Sequence, residues 1–163
     1  MSVAEITETR QYLTFKLGDE VFATDVAKVR EVLDFTTITK IPRTPDFMSG
    51  VINLRGTVLP VVDLRLSFEM SKTEKTVNPC IVVVEMLVEG ESTVIGALAD
   101  SVEEVIDLEP DQIQPPPRIG TQIRTEFIKG MGKRDAQFIM ILDIDRVFSA
   151  QELSAVRAAE IAA

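Results

Sequence analysis

The chain contains no histidine. That removes Ser-His-Asp and Cys-His nucleophilic sites, histidine zinc sites and the usual titrating group near neutral pH. It contains one cysteine, Cys80, so no intramolecular disulfide can form, a count compatible with a reducing compartment. Cationic charge is scarce: Lys plus Arg number 17 against 26 Asp plus Glu, for a net charge of −9. Such a chain cannot release phosphate counterions over a wide footprint, which argues against nucleic acid as a partner. It is equally ill suited to an anionic membrane surface. Long hydrophobic runs are missing too. Cys80 to Val84 and Phe138 to Leu142 are far too short to span a bilayer, and the stretch from Met1 to Glu8 lacks the basic start and apolar core of a signal peptide. The expectation is a soluble, cytoplasmic protein with no direct membrane insertion and no metal or other cofactor.

What is present is the composition of a folded domain. The 163 residues are 45% apolar and 26% charged, enough for one sizeable core. Residues 1–10 are polar and aperiodic and read as a flexible tail. Leu13, Phe15 and Leu17 then alternate with Thr14 and Lys16, as in a half-buried strand, and Gly18-Asp19-Glu20 turns the chain into a second strand over Val21 to Thr24. Asp25 is a candidate N-cap, and Val26, Val29, Val32 and Leu33 have the three-and-four spacing of a short helix. Val51 to Leu54 and Thr57 to Val62 are separated only by Arg55-Gly56, a tight hairpin signal. After a polar connector at 67–78 come strands over Cys80 to Val88, Thr93 to Ala99 and Val102 to Leu108. Pro115-Pro116-Pro117 imposes an extended loop, and a last hairpin runs from Phe127 to Leu142. Ser149-Ala150-Gln151-Glu152 is a capping box before an alanine-rich helix over 149–163. About ten short strands without βαβ units imply a mainly β barrel or sandwich with antiparallel pairing.

Few residues invite chemistry. Cys80 reads as a small buried hydrophobe with no histidine to activate it. Asp143 and Asp145 lack the glycine and terminal glutamate of a calcium loop, and Asp143 suits the cap of a short turn. Asp63 and Asp100 could be an acid/base pair, but strand-end turn formers and partners of nearby arginines are the safer reading. Gly130 and Gly132 have no following helix and so cradle no phosphate. The unusual feature is Arg55 at the tip of a very apolar hairpin. It is either solvated or paired with a carboxylate such as Asp63, or it is presented on a rigid turn to a partner.

The run Ile41-Pro42-Arg43-Thr44-Pro45-Asp46-Phe47-Met48-Ser49-Gly50-Val51-Ile52-Asn53-Leu54-Arg55-Gly56, continued by Pro60 and Asp63-Leu64-Arg65, resembles the signature of the CheW family of chemotaxis adaptor proteins. Leu17-Gly18-Asp19-Glu20, Asp100-x-Val102 and Gly130-x-Gly132 extend the likeness from about Gln11 to about Glu152, although Ser101 stands where a glycine is common. The resemblance implies two five-stranded antiparallel SH3-like barrels around a shared hydrophobic core over 11–148, two subdomains that could intertwine, with a short internal helix and a C-terminal helix. It implies a non-catalytic role, coupling the cytoplasmic tip of chemoreceptors to the regulatory domain of the histidine kinase CheA. The same scaffold could serve another receptor–kinase pathway such as surface motility. Carried over by position, Val29 and Glu31 on the short helix, with Gly50 and Arg55, are the expected receptor contacts. Asp100, Val102 and Val105 are the expected kinase contacts.

Overall fold

The computed structural model describes residues 10–18, 20–44, 46–67, 79–88, 90–115, 128–134 and 137–146. The tail at 1–9, most of the 67–78 connector, Pro116 and Pro117, and the helix expected over 149–163 lie outside the described residues.

Among the described residues, eleven strands are built into two sheets. The first hairpin joins β1 (Arg10–Leu17) and β2 (Glu20–Asp25). A single 3₁₀ turn at Val26–Lys28 leads into β3 (Val29–Asp34). The second hairpin is β4 (Met48–Leu54) with β5 (Thr57–Asp63), followed by one α-helical turn, α1 (Leu64–Ser67). Then come β6 (Cys80–Val88), β7 (Glu91–Ala99), β8 (Ser101–Leu108), the short β9 (Ile113–Gln114), β10 (Ile128–Arg134) and β11 (Gln137–Leu142).

The central sheet has the order β3-β6-β7-β5-β4 and comes from one continuous stretch of chain. The outer sheet has the order β8-β1-β2-β11-β10-β9 and draws on both ends of the chain. Beyond β3, Thr39 exchanges two backbone hydrogen bonds with Val51 of β4, at 2.9 and 2.8 Å. This seam brings the two edges of the central sheet together.

Two expectations are corrected here. The sheets have six and five strands and are not wholly antiparallel, since β2 with β11 and β5 with β7 run parallel. Each parallel pair joins segments far apart in the chain, which no turn signal announces. The internal helix is also not formed. Asp25 does cap, its carboxylate accepting from the Ala27 amide at 2.9 Å, but the helical geometry lasts one 3₁₀ turn and residues 29–34 are a strand.

The packing explains the strongly apolar strands. Where a strand is buried on both faces, alternation disappears and the run is apolar throughout. In β6, Ile81 and Val83 point into the central sheet's own core with Ile52, Leu59 and Val61. Val82, Val84 and Met86 point the other way, into a core shared between the sheets. The outer sheet repeats this. Leu13, Phe15, Leu17 and Phe22 enter the shared core, whereas Tyr12, Ala23, Ile139 and Ile141 line a separate one. Phe15 lies opposite Phe22 in register, their rings stacked with centroids 6.0 Å apart, an arrangement worth about 1 kcal/mol beyond burial.

Candidate functional site

Arg55 and Gly56 form the two-residue link between β4 and β5. Both have positive φ, 50° and 86°, as a type I′ hairpin turn requires. The Asn53 side chain accepts from the Gly56 amide at 2.8 Å and fixes the turn. The Arg55 guanidinium is thereby held out from a stiff hairpin. It donates to both carboxylate oxygens of Glu31 on β3, at 3.2 and 2.5 Å. The fork-to-fork geometry restricts orientation as well as distance. The bonded guanidinium holds the Glu31 carboxyl below the usual glutamate range, and Glu31 raises Arg55 in turn. Even so, 71% of the arginine side chain remains accessible.

A bulge puts Glu31 there. Val29 lies opposite Val84 and packs against the shared core, but the register slips before Glu31, which lies opposite Val83 and so faces the mouth of the central sheet. The slip releases Arg30, which pairs with Glu85, and Ser92 also donates to Glu85. The Ser92 bond first, and Arg30 next, lower the Glu85 carboxyl. Beneath these two ion pairs lies a cleft of about 710 Å³ with Leu54, Leu59, Val83 and Val94 among its lining residues. Charged Arg30, Glu31 and Arg55, the hydroxyls of Thr57, Ser92 and Thr93 and these apolar side chains line it together, a mixed surface of the kind that docks proteins.

The expected receptor contacts therefore part company. Glu31 and Arg55 come together across the mouth. Val29 is half-buried against the shared core. Gly50 sits at the seam with φ of 145°, where a Cβ would lie 2.2 Å from the Thr39 carbonyl oxygen. Its backbone requirement is thus physical. The carboxylate suggested for Arg55, Asp63, is instead buried at the far end of β5, where it accepts from the Arg65 amide at 3.0 Å.

The expected kinase contacts lie on the other sheet. Val102 and Val105 belong to β8, an edge strand. Val102 packs against the shared core, and Val105 is 52% exposed. Asp100, between β7 and β8, is occupied internally. It accepts from Arg65 and from the Gly18 amide, both at 2.6 Å, with Arg65 and Asp100 only 13% and 15% exposed. This is the turn-forming, arginine-pairing role expected of it, with Arg65 as the partner. The Arg30–Glu85–Ser92 group was missed. Its signal would have been the bulge, whose mark on residue spacing reads as a short helix.

A family profile described as a CheW-like domain matches residues 11–152. The chemotaxis protein CheW of Klebsiella aerogenes is 32% identical over 150 residues, covering 92% of this chain and 88% of that protein. Protein FrzA of Myxococcus xanthus is 35% identical over 128 residues, covering 78% and 77%. The crystal structure of the scaffolding protein TtCheW from Thermoanaerobacter tengcongensis superposes with a TM-score of 0.77 at 37% identity, covering 88% and 90%.

Proposed function

The chain belongs to the CheW-like domain family, and on that premise we propose how its two sheets divide the work of coupling receptors to CheA. The protein is a non-catalytic chemotaxis scaffold. In the arrangement proposed, the mouth of the central sheet takes the cytoplasmic tip of a chemoreceptor, with Arg55 and Glu31 as the contacting pair, Val29 bordering them and Gly50 shaping the seam. The β8 edge of the outer sheet takes the regulatory domain of CheA through Val105 and Val102, with Asp100 anchoring that edge from below. The two SH3-like barrels implied by the resemblance belong to the same proposal, supported on the central side by the Thr39–Val51 seam. Among the described residues no helix is long and apolar enough to cross a membrane. Association with receptor arrays is then through partners.

The observation that carries this reading is the bidentate Arg55–Glu31 pair, held on a rigid turn yet largely open to solvent. An exposed ion pair contributes little to folding, but a guanidinium fixed in orientation is a strong interface anchor. No chemistry is required of such a molecule. Its output is a coupling free energy between two binding events, and array assembly adds avidity to modest single contacts.

Co-sedimentation with receptor-bearing membranes tests the assignment. Arg55→Ala is expected to keep its melting transition and to lose receptor binding by about tenfold or more, the scale of a hot-spot truncation. Unchanged binding, or a melting transition lost together with binding, would remove Arg55 from the interface. A second reading is the same scaffold serving another receptor–kinase pathway such as surface motility, since the chain is similar to a relative, FrzA, that does not carry the CheW name. The pathway's own receptor and kinase would then replace the chemotaxis pair in the same assay.

A further inference from the structure

The shared core between the sheets is apolar, and apolar contact is non-directional. Side-chain interdigitation sets the sheets against each other, and directional contacts across them add a constraint on their angle. One such contact stands out. Asp145 lies in the 3₁₀ turn Ile144–Arg146 that follows β11, so its backbone belongs to the outer sheet's end of the chain. Ile144 beside it is buried in the shared core, and the Arg146 amide donates to the Asp143 carbonyl at 2.9 Å, which fixes the turn. The Asp145 carboxylate reaches across and accepts two hydrogen bonds. One comes from Lys28 Nζ at 2.9 Å, on the 3₁₀ turn that links β2 of the outer sheet to β3 of the central sheet. The other comes from the Leu87 backbone amide at 2.9 Å, on β6 of the central sheet.

The second bond has a structural cause. The pairing of β3 with β6 stops at Val29 opposite Val84. The edge of β6 beyond that point loses its neighbour strand, and an exposed edge amide needs an acceptor. Asp145 supplies it. Two residues upstream on β6 is Glu85, which holds Arg30 next to the Glu31–Arg55 pair. One carboxylate of the outer sheet is therefore fastened to the strand that organises the mouth of the central one.

We infer that Asp145 is a positioning residue for coupling: its double hydrogen bond to Lys28 and Leu87 sets the orientation of the two sheets and transmits strain between their binding faces. The inference rests on the functional reading above. A carboxylate with two bonds on separate elements is a geometric constraint that either bond alone does not provide. Weakening it leaves each binding face locally intact, so the effect falls on the ternary assembly.

The test uses the full chain with receptor-bearing membranes and CheA. Asp145→Ala is expected to bind receptor and kinase separately within about twofold of wild type, yet to lose about fivefold or more of the receptor-controlled kinase response, within the usual range of coupling effects. Asp145→Asn, which keeps an acceptor for the Leu87 amide, and Lys28→Met, which removes the other bond, are each expected to fall between the two. Ile52→Val, in the central sheet's own core, supplies a destabilised control that leaves the carboxylate alone and should retain the response. A full response in Asp145→Ala, or an equal loss in Ile52→Val, overturns the inference. Residual dipolar couplings of the β1, β2, β6 and β7 amides need no partner. A changed angle between the two strand sets in Asp145→Ala supports the inference, and an unchanged angle overturns it. Wild-type protein that binds neither partner would overturn the functional reading instead.

Discussion

The mouths of the two sheets carry similar ingredients in different geometry. On the central sheet, an arginine on a tight turn grips a glutamate with two bonds above a cleft of about 710 Å³. On the outer sheet, Lys16 and Glu103 approach to 3.5 Å beside a cleft of about 270 Å³. Lysine is a flexible point charge, whereas arginine is a planar fork. The outer pair is a loose surface contact of small energetic consequence. The central pair is an oriented one, placed by a turn that needs positive φ on one side and a bulge on the other. The two pairs therefore differ both in residue type and in the backbone that aims them, since a register slip in β3 and a positive-φ turn set the orientation of the central one.

The largest expected effect tests whether the central seam holds its mouth in shape. Gly50→Ala drives a Cβ to 2.2 Å from the Thr39 oxygen and 2.8 Å from Ile38 Cγ2. It should cost roughly 2–4 kcal/mol, the cost of a Gly-only backbone combined with a clash. Urea denaturation checks this, and a midpoint near wild type would mean that the seam is adjustable. Next is a second node between the two sheets, at Asp100. Asp100→Ala removes the acceptor for Arg65 and the Gly18 amide, at about 2 kcal/mol for a charge-assisted, largely buried arrangement. Faster hydrogen exchange at the Gly18 amide should accompany the loss.

The direct contrast between the mouths is a pair of substitutions. Arg55→Ala should abolish most receptor binding with the melting transition in place, while Lys16→Ala should leave both unchanged. Equal effects on binding would erase the distinction between the sheets. The same variant has an acid signature. In wild type the Glu31 carboxyl titrates below the ordinary glutamate range, because Arg55 is bonded to it. The pair's contribution is thus complete above the ordinary glutamate pKa of about 4.3 and is lost only as the pH falls through the depressed value. Carboxyl NMR titration should show Glu31 moving up in Arg55→Ala. The smallest effect is expected inside the outer sheet. The Tyr12 hydroxyl is buried without a hydrogen-bond partner among the described residues, so Tyr12→Phe should change stability by less than about 1 kcal/mol.

How much of this could be read from residues alone follows from the same irregularities. The β1–β2 and β4–β5 hairpins were legible because period-two alternation and short glycine-containing links are local signals. The segment after Asp25 was misread for a specific reason. Val29 faces the shared core and Leu33 the central one, because the register slips between Val29 and Glu31. A bulged strand that changes faces imitates the three-and-four spacing of a helix. The parallel pairs β2–β11 and β5–β7 join distant segments and leave no local pattern. The Arg55 hairpin was visible as an anomaly, but its partner was not. Glu31 lies 24 residues away and is aimed by the bulge, whereas Asp63, the nearer carboxylate in sequence, is turned inward at the other end of its strand.

The central claim is that one molecule holds receptor and kinase at once. Sedimentation of CheA with receptor-bearing membranes, followed as this protein is titrated in, tests it most directly. Bridging predicts that pelleted CheA rises with added protein, then falls when excess protein occupies each partner separately, and that Arg55→Ala fails to produce the rise. CheA that pellets to the same extent with or without this protein would contradict the account.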